Sequence, residues 1–140
     1  MTLLKGLDNL DILFEDKQRM LDFYHGVLGL PLSFPTSEDE DWFAVQAGYV
    51  EMFFFPGKGR NPRLNAADGD ENPPGIESIA WRVDDLDAAI AELDPHIEWA
   101  TEIKTWEHPS GTWYRMRTFF DPEGNKVWLT EPHRRGAAAD

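Results

Sequence analysis

Polar side chains that could do chemistry alternate with other residues in two short segments of the chain. In DNLDILF, Asn9, Asp11 and Leu13 occupy every second position, and Glu51 lies in the segment YVEMFFF. Successive side chains of a strand point to opposite faces, so the three residues of the first segment share one face. A carboxylate held in an apolar pocket can act as a general base, which makes Asp11 and Glu51 the candidate bases.

A second group of candidates follows in the later part of the chain. Ser78 and Arg82 share one face of the segment ESIAWRV. A charge that is withdrawn from water needs a partner, so Arg82 either pairs with an acidic residue or contacts a ligand. In KVWLT, Trp128 points away from its apolar neighbours Val127 and Leu129. Its indole is either the wall of a ligand cavity or structural filler.

Aromatic residues are numerous, with six tryptophans and nine phenylalanines among 140 residues. Phe53 lies two residues beyond Glu51 and is therefore predicted to share its strand face. Either Trp113 or Tyr114 could join that surface, because both faces of the segment TWYRMRTFF mix polar and apolar residues. Aromatic pairs contribute about 0.5–1.5 kcal/mol beyond burial, so a few such rings would favour a flat ligand.

The sequence carries none of the common nucleophile or metal-binding motifs. It has no cysteine, no phosphate-binding or dinucleotide-binding loop and no recognisable Ser–His–Asp arrangement. Its histidines lack the paired spacing of a helical metal site; they are His25, His96, His108 and His133.

Composition restricts the partners. The chain has 26 acidic and 13 basic residues, a formal net charge of −13. Nucleic acids and anionic membranes attract basic surfaces, so neither is an expected partner, whereas a cationic or neutral small molecule is. We see no signal peptide, and no stretch approaches the roughly 20 apolar residues of a membrane span. We therefore expect a cytoplasmic protein.

One pattern occurs twice along the chain. Each copy has an alternating strand, an acidic residue that can cap a helix, a helical segment and three extended stretches. Asp16 is the candidate cap in the first copy, and Asp84 or Asp85 in the second. The extended stretches are LPLSF, DWFAVQA and YVEMFFF, and then IEWATEIKTW, TWYRMRTFF and KVWLT. The predicted fold class is therefore α+β, with two tandem βαβββ modules.

The predicted single domain, residues 1–140, comprises module one (5–56), a linker (57–75), module two (76–132) and a tail (133–140). Each sheet would carry a helix on one face and leave the other face bare, and bare faces must be covered. We expect the two sheets to curve around a shared cavity, with a second copy of the chain completing a homodimer.

Three segments, FYHGVLGLPL, SIAWRVDDLDAAIAEL and FFDPEGNKVWLTEP, resemble the vicinal oxygen chelate superfamily. This superfamily includes glyoxalase I, extradiol dioxygenases and bleomycin-resistance proteins. The resemblance extends over roughly residues 5–132 and implies a homodimer of paired modules. In metal-dependent members, the first and last strands of each module supply His and Glu ligands on the concave face.

The positions that match those ligands are Asn9, Ser78, Trp128 and either Glu51 or Met52, of which polarity favours Glu51. Divalent ions of this type bind imidazole and carboxylate groups, whereas Asn and Ser are weak ligands and Trp is none. We therefore predict no metal and no cofactor.

Three functions are compatible with these features. The first is non-catalytic: the protein would bind and sequester an apolar or aromatic compound, neutral or cationic, as the metal-free drug-resistance proteins of the superfamily do. The alternative is a metal-independent isomerase or lyase that uses Glu51 or Asp11 as its base. A metal enzyme with unusual ligands is the third.

Overall fold

The computed structural model describes residues 3–58 and 74–134. Most of the predicted linker (59–73) and most of the predicted tail (135–140) lie outside the described residues. The chain forms two compact units, Met1–Asn61 and Pro62–Asp140. We refer to them as module one and module two.

Module one has the elements β1 (Asn9–Phe14), α1 (Lys17–Leu21), a π-helical turn (Asp22–Val27), β2 (Phe43–Ala47) and β3 (Val50–Pro56). The strand order is β1-β3-β2, with β3 parallel to β1 and antiparallel to β2. Asp16 caps α1, as predicted: its side chain accepts a hydrogen bond from the Arg19 backbone N–H at 3.2 Å.

The prediction that LPLSF forms a full strand is wrong, because only an isolated bridge between Leu32 and Val45 forms there. Pro31 and Pro35 flank the bridge, and proline has no N–H to donate to a ladder. The first sheet therefore has three strands.

The core of module one lies between the sheet and α1. One side of the sheet is buried there: Ile12, Phe14, Phe43, Val45, Met52 and Phe54. Phe43 stacks on Phe54 with ring centroids 4.4 Å apart, and Tyr24 from the π-helical turn lies 4.9 Å from Phe54. This packing fixes the other side of each strand as the face away from the helix, which we call the far face.

Module two has the elements β4 (Ile79–Arg82), α2 (Leu86–Leu93), β5 (Lys104–Glu107), β6 (Trp113–Phe120) and β7 (Lys126–His133). The strand order is β4-β7-β6-β5. Of the two candidate caps, Asp85 is the one that accepts from the helix, at 3.0 Å from the Ala88 backbone N–H. In the long stretch IEWATEIKTW, only the last three residues form a strand, as the start of β5, and Trp99 forms an isolated bridge to Phe119.

The last strand, β7, is longer than the predicted KVWLT. It continues through Pro132 to His133, and Pro132 pairs with Tyr114 of β6. The pairing of β4 with β7 ends at Thr130, so Pro132 has a neighbouring strand on one side only. A proline is tolerated at such a position because no ladder partner needs its missing N–H.

The two modules share the α+β arrangement of a helix packed beside a sheet, which confirms the predicted fold class. In each module a glycine with positive φ precedes the last strand: Gly48 at 66° and Gly124 at 86°. Residues with a side chain rarely adopt a positive φ, so glycine is favoured at both turns. No helix in the described part of the chain is long and apolar enough to cross a membrane.

Candidate ligand-binding faces

The strand register of module one brings five of the predicted site residues onto its far face. Asn9 pairs with Glu51, and Asp11 pairs with Phe53. Met52 points to the opposite side, where it is 1% exposed in the core. Of the two residues that could match a family ligand position, Glu51 is therefore the one beside Asn9. The predicted residue Leu13 lies further along the same face, opposite Phe55.

Four aromatic rings, Phe34, Trp42, Phe53 and Phe55, form a cluster that we call the aromatic face. Phe53 and Phe55 stack nearly parallel with centroids 6.1 Å apart, and Trp42 stacks on both at 6.4 Å. Phe34 contacts Trp42 edge-on at 5.8 Å and Phe53 at 6.3 Å. The rings thus form a continuous surface over the end of the sheet.

The aromatic face keeps considerable contact with solvent. Phe34 is 45% exposed, Phe55 37% and the adjacent Leu13 61%, while Phe53 and Trp42 are half-buried. The core of module one, by contrast, contains rings such as Phe43 and Phe54 that are almost fully buried. Contiguous exposed apolar surfaces mark interaction sites, whereas singly exposed apolar residues do not, so the aromatic face is a candidate binding surface.

Three of these four rings were not among the predicted site residues: Phe34, Trp42 and Phe55. Strand alternation could have identified Phe55, which lies two residues beyond Phe53. Phe34 and Trp42 belong to the predicted stretches LPLSF and DWFAVQA, but the structure places both in the connection before β2, where strand alternation does not set their direction.

The polar end of the same face carries the two candidate bases. The Asn9 side-chain amide donates a hydrogen bond to Asp11 Oδ1 at 2.8 Å. Asp11 is exposed and Glu51 is half-buried. Among residues 3–58 and 74–134, neither carboxylate has a Lys, Arg or His side chain as an ion-pair partner. On the far face of module one, Asn9 and Glu51 therefore lie side by side at one end, Asp11 lies beside Phe53, and Leu13 lies beside Phe55 at the other end.

In module two, Trp128 lies on the far face, paired with Ala80 and Thr118. One side of its indole is already in use: the Lys126 ammonium lies 5.1 Å from the ring centroid. Lys126 is buried and also forms an ion pair with Glu77 at 2.5 Å. Trp128 thus has a structural role, because one face of its ring contacts a buried cation.

Strand alternation separates the two alternatives Trp113 and Tyr114. Tyr114 shares the far face with Trp128 and contacts Trp106 at 5.4 Å. Trp113 points to the helix side, where it stacks on His133 with centroids 3.9 Å apart. Trp113 is therefore not on the predicted binding surface of module two.

The remaining predicted residues of module two lie at or near β4. Arg82 pairs in register with Thr130 on the far face and is exposed. Ser78 is half-buried and directly precedes the strand. On strand alternation, both share the side of the sheet that carries Trp128.

A charged network lies on the helix side of module two. Glu131 is buried, and its carboxylate accepts hydrogen bonds from the Leu86 backbone N–H at 2.7 Å and from the His133 ring at 2.6 Å. These hydrogen bonds hold the pKa of Glu131 below its usual value, and the bond from Leu86 has the larger effect. Arg115 lies 3.8 Å from the same carboxylate and pairs with Asp87 at 3.0 Å. This network ties the start of α2 to the end of β7.

The donors at the family ligand positions do not fit a divalent ion. In module one the pair is Asn9, whose amide is engaged with Asp11, and Glu51. In module two the positions hold Ser78 and Trp128, and an indole cannot ligate a metal. In the described ranges, no three His, Asp or Glu side chains are grouped as metal ligands. The residues at these four positions therefore do not form a site suited to a divalent ion.

The chain is similar in sequence to one known protein and similar in fold to several solved structures. The chain is 29% identical over 134 residues to the uncharacterized protein YaeR of Escherichia coli, a match that covers 91% of this chain and 97% of YaeR. A glyoxalase family protein from Enterococcus faecalis matches with a TM-score of 0.69 at 22% identity, over 93% of this chain and 100% of the other. Lactoylglutathione lyase from Agrobacterium tumefaciens matches with a TM-score of 0.63 at 17% identity, over 93% and 96%.

At such identities, the two solved structures support the fold alone. A family model also matches residues 6–129, nearly the whole chain. The protein therefore belongs to the Glyoxalase/Bleomycin resistance protein/Dioxygenase superfamily.

Proposed function

We propose that this protein binds and sequesters a flat, apolar or aromatic small molecule in the cytoplasm, without converting it. The observation that carries the proposal is the aromatic face, in which each of four rings contacts at least two of the others and remains partly exposed, while the rings of the core are buried. A ligand that covers these rings would remove them from water.

The energetics of such a surface suit a small ligand. Stacking of a flat ring on an aromatic side chain contributes about 1–3 kcal/mol, as measured for nucleic-acid bases. Burial of further apolar area adds about 25 cal/mol per Å². Two stacked rings and a modest buried area therefore support micromolar binding, which corresponds to about 8 kcal/mol.

Charge favours a neutral or cationic ligand over an anionic one. The chain carries a net charge of −13, and Asp11 and Glu51 lie on the same sheet face as the rings. A ligand cation placed over the rings would be attracted to their π faces as well as to these carboxylates.

A binding titration tests the proposal. N-phenyl-1-naphthylamine, a neutral fluorophore, should bind with saturable enhancement of its emission. Phe53→Leu, which keeps an apolar side chain but removes the ring, should weaken binding about fivefold or more, in line with the stacking term. Phe119→Leu, a buried ring of module two, is the matched control and should leave the affinity unchanged. Equal effects of the two variants, or no binding by the native protein, would contradict the proposal.

One observation favours a second function, a metal-independent isomerase or lyase. The Asn9 amide orients the Asp11 carboxylate next to Phe53, as a general base for an aromatic substrate would require. Acetophenone incubated with the protein in D₂O should then gain deuterium at its methyl carbon, and Asp11→Asn should abolish the gain. Sequestration alone predicts no incorporation above the buffer rate.

A further inference from the structure

We propose that Lys17 is a positioning residue that holds the loop carrying Phe34 and Trp42 against the sheet, and so controls the affinity of the aromatic face. This inference rests on the proposed function. It concerns residues 33–42, the connection between the Leu32 bridge and β2, which we call the aromatic loop.

The Lys17 ammonium donates to two backbone carbonyls of this loop. The distances are 2.8 Å from Nζ to the Ser37 oxygen and 2.6 Å to the Glu40 oxygen. Lys17 is the first residue of α1, so the capped start of that helix fixes the direction from which its side chain reaches the loop. The two contacts join positions 20 and 23 residues apart in the chain.

The rest of the aromatic loop has few other attachments. At its start, the Ser33 N–H donates to the Ala44 carbonyl at 2.9 Å, and within it the Glu40 N–H donates to Ser37 at 3.2 Å. The Ser33 and Thr36 hydroxyls are buried without a hydrogen-bond partner. Between positions 35 and 41, Lys17 provides the only side-chain hydrogen bonds that the described residues make to the loop.

The loop supplies half of the aromatic face. Phe34 precedes the segment that Lys17 holds, Trp42 follows it, and both rings contact Phe53. Four acidic residues, 38–41, lie in the same loop, and their mutual repulsion opposes a compact arrangement. A cation bound to the loop carbonyls offsets that repulsion. Loss of the ammonium would therefore release the loop and disperse two of the four rings.

Two lysine variants and one control separate this role from general stability. Lys17→Met keeps the aliphatic stem but removes the donor, whereas Lys17→Arg retains a donor and should restore most of the effect. Arg19→Met makes the same charge change two residues away, at an exposed position of α1. We expect Lys17→Met to weaken N-phenyl-1-naphthylamine binding about 5- to 30-fold, because affinity falls with the fraction of protein that holds the binding-competent arrangement.

Fluorine NMR of protein labelled with 5-fluorotryptophan gives a readout that does not require a ligand. The Trp42 resonance, assigned by its loss in Trp42→Phe, should shift or broaden in Lys17→Met and remain unchanged in Arg19→Met. In addition, Lys17→Met should have little further effect on binding in a Trp42→Ala background, where one of the positioned rings is already missing.

The outcomes are distinct. Unchanged Trp42 resonance and probe affinity in Lys17→Met would overturn the inference, and so would equal losses in Lys17→Met and Arg19→Met. If the native protein does not bind the probe, the proposed function fails, and the fluorine spectrum alone decides whether Lys17 positions the loop.

Discussion

Trp42 and Phe43 are neighbours in sequence but lie on opposite sides of the first sheet, and their truncation should separate binding from stability. Phe43 is 1% exposed and stacks on Phe54 at 4.4 Å and on Phe14 at 6.2 Å. Trp42 is half-buried, and its ring contacts Phe34, Phe53 and Phe55 of the aromatic face.

The structure sets the expected magnitudes. Phe43→Ala opens a cavity among packed rings, so the free energy of unfolding should fall by about 3–5 kcal/mol. Trp42→Ala removes a ring that lacks packing on one side, so its cost in stability should be clearly smaller. Its probe affinity should fall by about 1–3 kcal/mol, or roughly 5- to 150-fold.

Urea unfolding followed by circular dichroism measures the first quantity, and titration with N-phenyl-1-naphthylamine measures the second. Binding is compared in the absence of urea, at a temperature where Phe43→Ala is still folded. Should Trp42→Ala destabilise as strongly as Phe43→Ala while it retains probe affinity, the aromatic face is part of the core and is not a ligand-binding surface.

Three further predictions follow from module two and from the exposed apolar residues. Hydrogen bonds from the Leu86 backbone N–H and the His133 ring lower the pKa of Glu131 in the folded protein. The ionised carboxylate therefore stabilises the fold above pH about 4.5, the ordinary pKa of the group. This contribution to the free energy of unfolding is lost as the pH falls through the lowered pKa. Glu131→Gln should reduce the free energy of unfolding at pH 7 by about 1–3 kcal/mol, and urea titrations at pH 3 should show a smaller difference from the native protein. In urea titrations, Trp128→Leu should lower the free energy of unfolding more than Trp106→Leu does. Of these two rings, Trp128 is the one with a buried lysine ammonium over it, and such a contact contributes about 2 kcal/mol when desolvated. Equal losses in the two variants would contradict this prediction. Sedimentation at micromolar concentration should give about twice the 16.1 kDa chain mass, since a second copy would cover exposed apolar side chains; a monomer would refute the proposed homodimer.

Local patterns in the sequence were sufficient to predict several strand faces and helix ends of the fold. The alternation in DNLDILF predicted that Asn9, Asp11 and Leu13 share one face of the strand, and in the structure Asp11 and Leu13 are exposed while the alternating residues Ile12 and Phe14 are in the core. Asp16 was predicted as a helix cap because a short acidic side chain can accept from the free N–H groups of the first turn. Both features depend on residues close together in the chain.

The sequence was less informative where chain segments end or turn. The segment LPLSF has the composition of a strand, yet its flanking prolines limit it to a single bridge. The sequence left both Trp113 and Tyr114 as candidates, because either choice of face gave a mixed pattern. The pairing with β7 decided between them, since Trp113 is opposite His133 and Tyr114 is opposite Pro132.

The sequence by itself determined the repeated module, the alternation of β1, and the unsuitability of Asn9, Ser78 and Trp128 as metal ligands, whereas the structure decided between Glu51 and Met52. Only the tertiary structure showed that the aromatic loop joins Phe53 and that Lys126 lies against Trp128. The physical reason is that strand alternation is set by local backbone geometry, whereas ring stacking and cation contacts depend on which distant segments meet.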